Sequence, residues 1–409
     1  MNDSLDLTSS GTKGLQKRHK VAKTWSKVFL SSILISILVL LVLLLSVIND
    51  SMGYVAVQYE NDPSGFSSVS LDSLSKTDLV KLLTDNLSTY RWRTLQQGKN
   101  IDNLSREETL KLVEAELLKP TYVASYSLLP SLLNKGKIFS EITIQFPKAT
   151  IEFHSWLNYR FLINSMSTIP ENAGVRTAIL GSLWIVLIAI LFSIPVGVGA
   201  AIYLEEYALQ NRLKKIIQTN IDNLAGIPSI IYGMLGLAIF VRALKPLTSG
   251  AVLGIDQSNG RTVISAGLTI ALLLLPLIII NAQEALRSVP ISLRQASYGV
   301  GATRWQTIWY HVLPAALPGI LTGAILAISR GIGETAPLIL VGASSFINKD
   351  PTGIFSNFTA LPLQIYYWTQ RPQDQFRNAA AAAILVLLIM LLSLNAIAIL
   401  LRNRYTRQA

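Results

Sequence analysis

Residues 294–320 read RQASYGVGATRWQTIWYHVLPAALPGI. Apolar side chains recur at helical spacing on both sides of Gly299 and Gly301, so the stretch predicts two short amphipathic helices joined by a tight glycine-containing turn. It carries Arg294, Arg304 and His311 and is too polar to lie in hydrocarbon. The flanking runs, about 262–284 and 319–343, are too apolar for a water-facing surface. A basic helical elbow between two such runs belongs at a membrane surface.

Working outward, further runs of spanning length occupy 28–48, 176–204, 221–243 and 379–401. About twenty apolar residues are needed to cross a ~30 Å hydrocarbon core at 1.5 Å per residue. The chain has 409 residues, 51% hydrophobic and only 14% charged, against roughly a quarter charged in ordinary soluble proteins. The expectation is an all-α polytopic membrane protein with about six transmembrane helices.

The net charge of +11 does not point to nucleic acid, because of where it lies. Residues 49–175 hold 14 acids and 12 bases, and the remainder carries +13. Those bases cluster at the ends of apolar runs, as the positive-inside rule expects. Lys13, Lys17, Arg18, Lys20, Lys23 and Lys27 precede the first run, which is longer than a signal-peptide core and so predicts an uncleaved helix with a cytoplasmic N-terminus. Residues 1–27 then form a basic cytoplasmic tail, polar and irregular before Lys13. Alternation places Arg212, Lys214 and Lys215, then Arg287, Arg294 and Arg304, then the tail 404–409 with Arg402, Arg404 and Arg407 close by, on the same side. Lys349-Asp350 and Arg371 to Asp374, of mixed charge, fall outside. There is no cysteine, and His19, His154 and His311 show no ligand spacing, so no metal site is expected.

Residues 49–175 are too polar for the bilayer and predict a small α+β extracytoplasmic insertion. Ser75 with Asp78 and Ser105 with Glu108 fit capping boxes. Helically spaced leucines follow each, and Pro120 ends the second helix. Ile142, Ile144 and Phe146, then Ile151 and Phe153, alternate with polar residues around Pro147-Lys148 and predict a β-hairpin.

Within 319–343, Arg330 and Glu334 stand one helical turn apart in SRGIGETAPLILVG, 329–342. An ionised residue in hydrocarbon is costly unless paired or wet, so it marks either a pathway or an intrahelical ion pair that steadies a helix weakened by Gly331 and Gly333. The arginine fork can bond a phosphate in bidentate fashion. Glu334 can accept a hydrogen bond from a protonated phosphate oxygen. In NLAGIPSIIYGMLGLAIFVR, 223–242, Gly226, Gly233 and Gly236 suit close helix packing, Pro228 a kink, and Asn223 and Tyr232 hydrogen bonds between helices. Glu284, near the end of LPLIIINAQEALRSVP, 275–290, is expected to be solvated.

The elbow resembles the coupling loop of ATP-binding-cassette (ABC) importer permeases: Glu-Ala-Ala, three residues, Gly, nine residues, Ile-x-Leu-Pro. Gln295, Ala296 and Ser297 fill the first three places, Gly301 the glycine, and Leu313-Pro314 the end. Gln295 replaces the usual Glu and His311 the usual Ile, which removes any ion pair through residue 295. Together, AGIPSIIYG, LPLIIINAQEALRSVP, the elbow and RGIGETAPL resemble the phosphate-specific ABC permease family, on its PstA side, over about 174–403.

The resemblance implies a type I ABC-importer permease fold, with a core at 176–403 and a coupling loop at about 287–318. It implies a homologous second permease, two copies of an ATP-binding subunit, an external phosphate-binding protein and the lipid bilayer as partners, with no nucleic acid. No G-x-x-x-x-G-K-[ST] loop occurs, so ATP and Mg are expected on partner subunits, with no cofactor and no enzyme activity in this chain. The function implied is import of inorganic phosphate. A permease for molybdate or sulfate, and a stand-alone secondary transporter, are the alternatives; sensing of phosphate status could accompany transport. The long 49–175 segment exceeds the family's usual first loop; docking of the binding protein and an elaboration that only packs on the outer surface are the two readings of it.

Overall fold

The computed structural model describes residues 6–61, 66, 71–98, 104–255, 259–344 and 346–406. Arg407 lies outside them. Helix α1 (Asp6–Asp50) runs through the basic tail as well as the first span, so the helix expected at 28 begins earlier. Residues 17–27 contain neither Gly nor Pro, and nothing stops the span's helix from continuing back through them.

The insertion follows. Strand β1 (Met52–Tyr59) leads to helices α2 (Lys76–Asn86), α3 (Thr89–Gly98) and α4 (Arg106–Val113). Next come β2 (Pro120–Ser125), α5 (Leu128–Leu133), α6 (Lys135–Gln145), β3 (Thr150–Ser155) and the short α7 (Tyr159–Ile163). The capping box at Ser75 and Asp78 forms, and Ser105 and Glu108 exchange the same reciprocal bonds. Helix α4 continues as a π-helical turn to Leu118, and Lys119 turns left-handed (φ 49°) before Pro120 opens β2.

The expected hairpin at 142–153 is not there. Ile138 and Ile142, one turn apart, bury one face of α6 while Ile144 is 79% exposed, so a helical period of four overrides the short alternation. Strand β3 instead pairs antiparallel with β1, Met52 opposite Ser155, in a sheet ordered β2-β1-β3.

The bundle is built on α8 (Arg176–Ile202) and α12 (Val263–Arg287). A Cβ on Gly267 would lie 2.6 Å from Ile188, and one on Gly197 2.7 Å from Ile278, so the two helices run parallel at glycine-permitted contact. Helix α15 (Leu313–Gly333) runs antiparallel to α12: Gly319 meets Ala285, Gly323 meets Asn281, and Gly331 meets Ile270 and Leu274. Helix α18 (Asp374–Thr406) flanks α15, with Ser329 Oγ donating to Asn395 Oδ1 at 2.6 Å, and α1 packs along α18 with its leucines turned outward.

Among the described residues, five helices are long and apolar enough to cross a membrane: Arg18–Asp50, Arg176–Tyr207, Val263–Arg287, Arg304–Gly333 and Asp374–Arg404. The run expected at 221–243 is not straight. It is helix α9 (Arg212–Ala225) and helix α10 (Ser229–Gly236, continued as π-helix to Ala243), bent by 105°. Pro228 forces the break, since its ring would strike the Leu224 carbonyl and it has no N–H to donate. The buried Tyr232 repairs the damage across the bend, its hydroxyl donating to Leu224 O at 2.7 Å. Asn223, by contrast, is exposed, and its side chain makes no hydrogen bond among the described residues.

The insertion sits where α1 ends and α18 begins. Asn378 Nδ2 donates to Asp50 O (2.7 Å), Ser125 Oγ to Asn378 Oδ1 (2.8 Å), and Gln375 Nε2 to Tyr122 O (2.6 Å). Trp156, Phe161, Trp368 and Phe376 fill an apolar layer beneath. Because α8 starts at this end and carries the elbow's anchors at its other, the insertion and the elbow are separated by the ~40 Å length of a 27-residue helix.

Candidate functional site

The elbow forms as an angle between two unequal arms. Helix α13 (Ile291–Gly299) is one; the turn takes a left-handed backbone at Gly301 (φ 85°), where a side chain would be strained. The second arm is α14 (Arg304–Thr307), capped by Thr303 and Gln306, and it is not a separate short helix. It passes through a π-helical turn, Ile308–Val312, into α15, so one helix runs from Arg304 to Gly333. The π-turn lies where Pro314 would clash with the preceding turn in a regular helix.

Gln295 and Ala296 are exposed on α13, whereas Ser297 is buried and shares a 2.9 Å hydrogen bond with the buried Thr307 hydroxyl, locking the two arms. Leu313 is half-buried and Pro314 exposed.

One ion pair ties the elbow to the bundle, and a second braces α12 beside it. Arg294 Nη2 lies 2.7 Å from Glu206 Oε1, with side chains only 16% and 9% exposed. The same guanidinium donates to Val289 O (2.8 Å) and Leu286 O (2.9 Å), carbonyls just beyond and at the end of α12, the second of which also accepts from Val289 N. Arg287 grips Glu205 at 2.7 Å, and Glu205 also accepts from Gln283 Nε2 at 2.9 Å. Both glutamates stand on the π-helical turn Tyr203–Tyr207 that ends α8. Next to them, Arg212, Lys214, Lys215 and Arg287 line a cleft of about 830 Å³. Glu284 is exposed, as expected.

Glu205 and Glu206 were the residues sequence reasoning missed. Their signal is legible in retrospect: two acids closing an apolar run on the side where basic residues predominate need basic partners.

Arg330 and Glu334 come together differently from the expectation. They are not on one continuous helix, because α15 ends at Gly333 and Glu334 has extended backbone. Pro337, second residue of α16 (Ala336–Val341), would clash with the Gly333 carbonyl if the helix continued. Arg330 Nε and Glu334 Oε1 are 3.4 Å apart, a long pair with Arg330 half-exposed. The two terminal guanidinium nitrogens have no partner among the described residues. The fork is therefore open to a ligand.

The two broken helices meet. A Cβ on Gly233 of α10 would lie 2.7 Å from Pro337 Cα of α16, so AGIPSIIYG and RGIGETAPL mark two breaks packed against each other. Gly331 lies against α12, and so does Gly236, whose neighbour there is Thr269. Along the continuous helix from Thr307 to Arg330 the elbow and this pair are ~35 Å apart.

Fold and site together define a multi-pass membrane protein with a braced elbow at one end and an arginine at a helix break within the bundle. The chain belongs to the family described as binding-protein-dependent transport system inner membrane component, whose family model matches residues 193–407. Its fold is accordingly that of a type I ABC-importer permease, with a three-stranded insertion added.

Among its relatives is the probable ABC transporter permease protein YqgI of Bacillus subtilis (strain 168). The two are 33% identical over 238 residues, 56% of this chain and 76% of the relative. The phosphate transport system permease protein PstA 1 of Mycobacterium tuberculosis (strain ATCC 25618 / H37Rv) is 37% identical over 208 residues, 50% of this chain and 62% of that protein. Among solved structures, an inward-facing form of the MetNI methionine ABC transporter aligns with a TM-score of 0.42 at 20% identity, covering 57% of this chain and 94% of that one.

Proposed function

We propose that this chain is one PstA-type permease subunit of an ATP-driven importer of inorganic phosphate, with the elbow and both termini in the cytoplasm and the insertion outside. The observation that carries the reading is the braced elbow. Its exposed face, Gln295, Ala296, Tyr298 and Val300, is free to sit in a cleft of an ATPase, while Ser297–Thr307 locks its arms and Arg294 ties it to Glu206 at the end of α8 and to the end of α12, which Arg287–Glu205 clamps to α8 in turn. Closure of two ATPase copies around ATP and Mg, which those partners hold, would then move helices rather than bend a loop. The second arm is itself the helix that carries Arg330 in its last turn, a direct line from elbow to pathway.

A homologous permease completes the path, and an external binding protein delivers the anion. The family and the phosphate-transport relatives support the substrate class. So does the Arg330–Glu334 pair: the open fork suits a phosphate, and the carboxylate can accept a hydrogen bond from its protonated oxygen, which sulfate lacks at neutral pH.

The test is uptake of inorganic phosphate by proteoliposomes holding the assembled complex with binding protein and ATP. Wild type is expected to accumulate phosphate, and Arg330→Ala to lose at least tenfold at unchanged assembly. Normal uptake by Arg330→Ala would remove Arg330 from the path. Uptake driven by an ion gradient in the purified chain alone would overturn the ABC assignment.

A further inference from the structure

Arg261 stands just ahead of α12, at the insertion end of the bundle, and the transport reading above makes no use of it. Its side chain lies directly over Gly342, where α16 ends in a left-handed backbone (φ 101°), an approach that a Cβ at 342 would block. Arg261 is exposed and makes no hydrogen bond or ion pair among the described residues.

A cleft of about 380 Å³ opens beside it, lined also by Ser344, Phe346 and Tyr367. The hydroxyls of Ser344 and Tyr367, both half-buried, have no hydrogen-bond partner among the described residues either, and no carboxylate among the described residues lines the cleft. One permanent cation and two hydroxyl donors, with no acid to neutralise them, suit a small oxyanion.

We propose that this cleft is an outer oxyanion station, in which Arg261, Ser344 and Tyr367 hold inorganic phosphate before it reaches Arg330. The inference rests on the reading of the chain as a phosphate permease and names a second residue set for that path. Helix α16 separates the two arginines: Glu334 and Thr335 link it to Arg330, and its far end carries Gly342 beneath Arg261. Six residues of helix span ~9 Å. Two stations of moderate strength in series let an anion be taken up and then released, where one tight site would trap it.

The experiment uses the assembled complex in proteoliposomes, with loaded binding protein and radiolabelled inorganic phosphate. Two readouts are followed, phosphate uptake and stimulation of ATP hydrolysis by the binding protein. Arg261→Gln is expected to lower uptake about tenfold, the worth of one charge-assisted hydrogen bond, and Arg261→Lys to recover part of it. The binding-protein concentration giving half-maximal ATPase stimulation stays at the parental value.

Parental uptake in Arg261→Gln overturns the station. A several-fold rise in that half-maximal concentration also overturns it, since Arg261 would then hold an acidic surface of the docked protein. If Arg261→Gln does not assemble, the double variant Ser344→Ala/Tyr367→Phe, which keeps the charge, carries the test. A fall in its uptake of threefold or more is expected, and parental uptake refutes the proposal. Failure of the underlying reading looks different: the wild-type complex itself then takes up no phosphate.

Discussion

Replacing Arg294 by Met tests whether the elbow works as a braced lever. Methionine keeps the stem's volume but removes the bond to Glu206 at 2.7 Å and those to Leu286 O and Val289 O at 2.9 and 2.8 Å. Exposed ion pairs contribute ~0–1 kcal/mol. This one is largely buried, and removing one partner leaves Glu206 without its cation, at a cost of ~3 kcal/mol. That is roughly a hundredfold shift against the docked elbow. The expected outcome is an assembled complex that still hydrolyses ATP but moves at least tenfold less phosphate per ATP. Arg294→Lys, which keeps the charge and loses the fork, should fall between. Glu206→Gln combined with Arg294→Met should be less harmful than the two single effects added, by about 2 kcal/mol. A parental transport-to-ATP ratio in Arg294→Met, or an additive double variant, would refute the brace.

Gly233→Ala should separate the two helix breaks. Its Cβ would lie 2.7 Å from the backbone of Pro337, an overpacking that costs ~1–3 kcal/mol, and uptake should fall while Gly136→Ala, where nothing lies within 4 Å, behaves as wild type. The helices between β1 and β2 can be removed cleanly. Glu60 N and Asn61 N donate to Lys119 O and Leu118 O, so exchanging 62–117 for a two-residue Asn-Gly turn should close β1 onto β2 and leave the sheet intact. If this segment docks the binding protein, half-maximal ATPase stimulation moves to several-fold higher binding-protein concentration; an unchanged value excludes docking there.

Burial among Tyr122 and Trp156 pushes His154 below the ordinary histidine pKa of about 6.5. The folded insertion therefore holds it neutral while the unfolded chain binds a proton. The stabilisation is full above that ordinary value and declines as pH falls from there toward the lowered folded pKa. Thermal unfolding of the complex followed across pH 5–7 should show this decline, and His154→Gln should flatten it. Glu152, on the same strand as His154, and Glu171, on the turn Pro170–Asn172, also act on Tyr122, so the two curves must be compared at equal ionic strength.

Spans, caps and elbow were legible because each rests on a local rule: twenty apolar residues, a serine three before an acid, a glycine between two amphipathic arms. What local rules cannot carry is continuation. The apolar run at 221–243 has the length of a span, yet Pro228 turns it through 105°, because hydropathy sums over a proline without noticing the bond it breaks. The run at 319–343 fails at Glu334 for the same reason at Pro337, and Arg330 therefore sits at a helix end rather than in mid-helix. At 142–146 the alternation was too short to outvote the helical pair Ile138 and Ile142. The partners of Arg287 and Arg294 lie more than eighty residues earlier in the chain, and no pattern in either segment specifies the pairing.

The same geometry constrains how the elbow can act on the breaks. Both breaks rest on one level of α12: Gly236 meets Thr269, and Gly331 meets Ile270 and Leu274. The far end of α12 is bound to the elbow's neighbourhood through Gln283, Arg287 and the carbonyls that Arg294 caps. At these glycine contacts no methyl group fits without displacing a neighbour, so local sliding has no slack to use, and packed interfaces of this kind change by moving as units. A push on α13 is therefore delivered along α12 and α15 together, which are locked to each other at Gly319, Gly323 and Gly331. The compliant points that remain are the two breaks at 226–228 and 334–335, where Pro228 and Glu334 leave the helical backbone and regular helical hydrogen bonding is interrupted. Arg330 stands at the second of them, and so the residue best equipped to hold an anion sits where the lever's motion has to be absorbed.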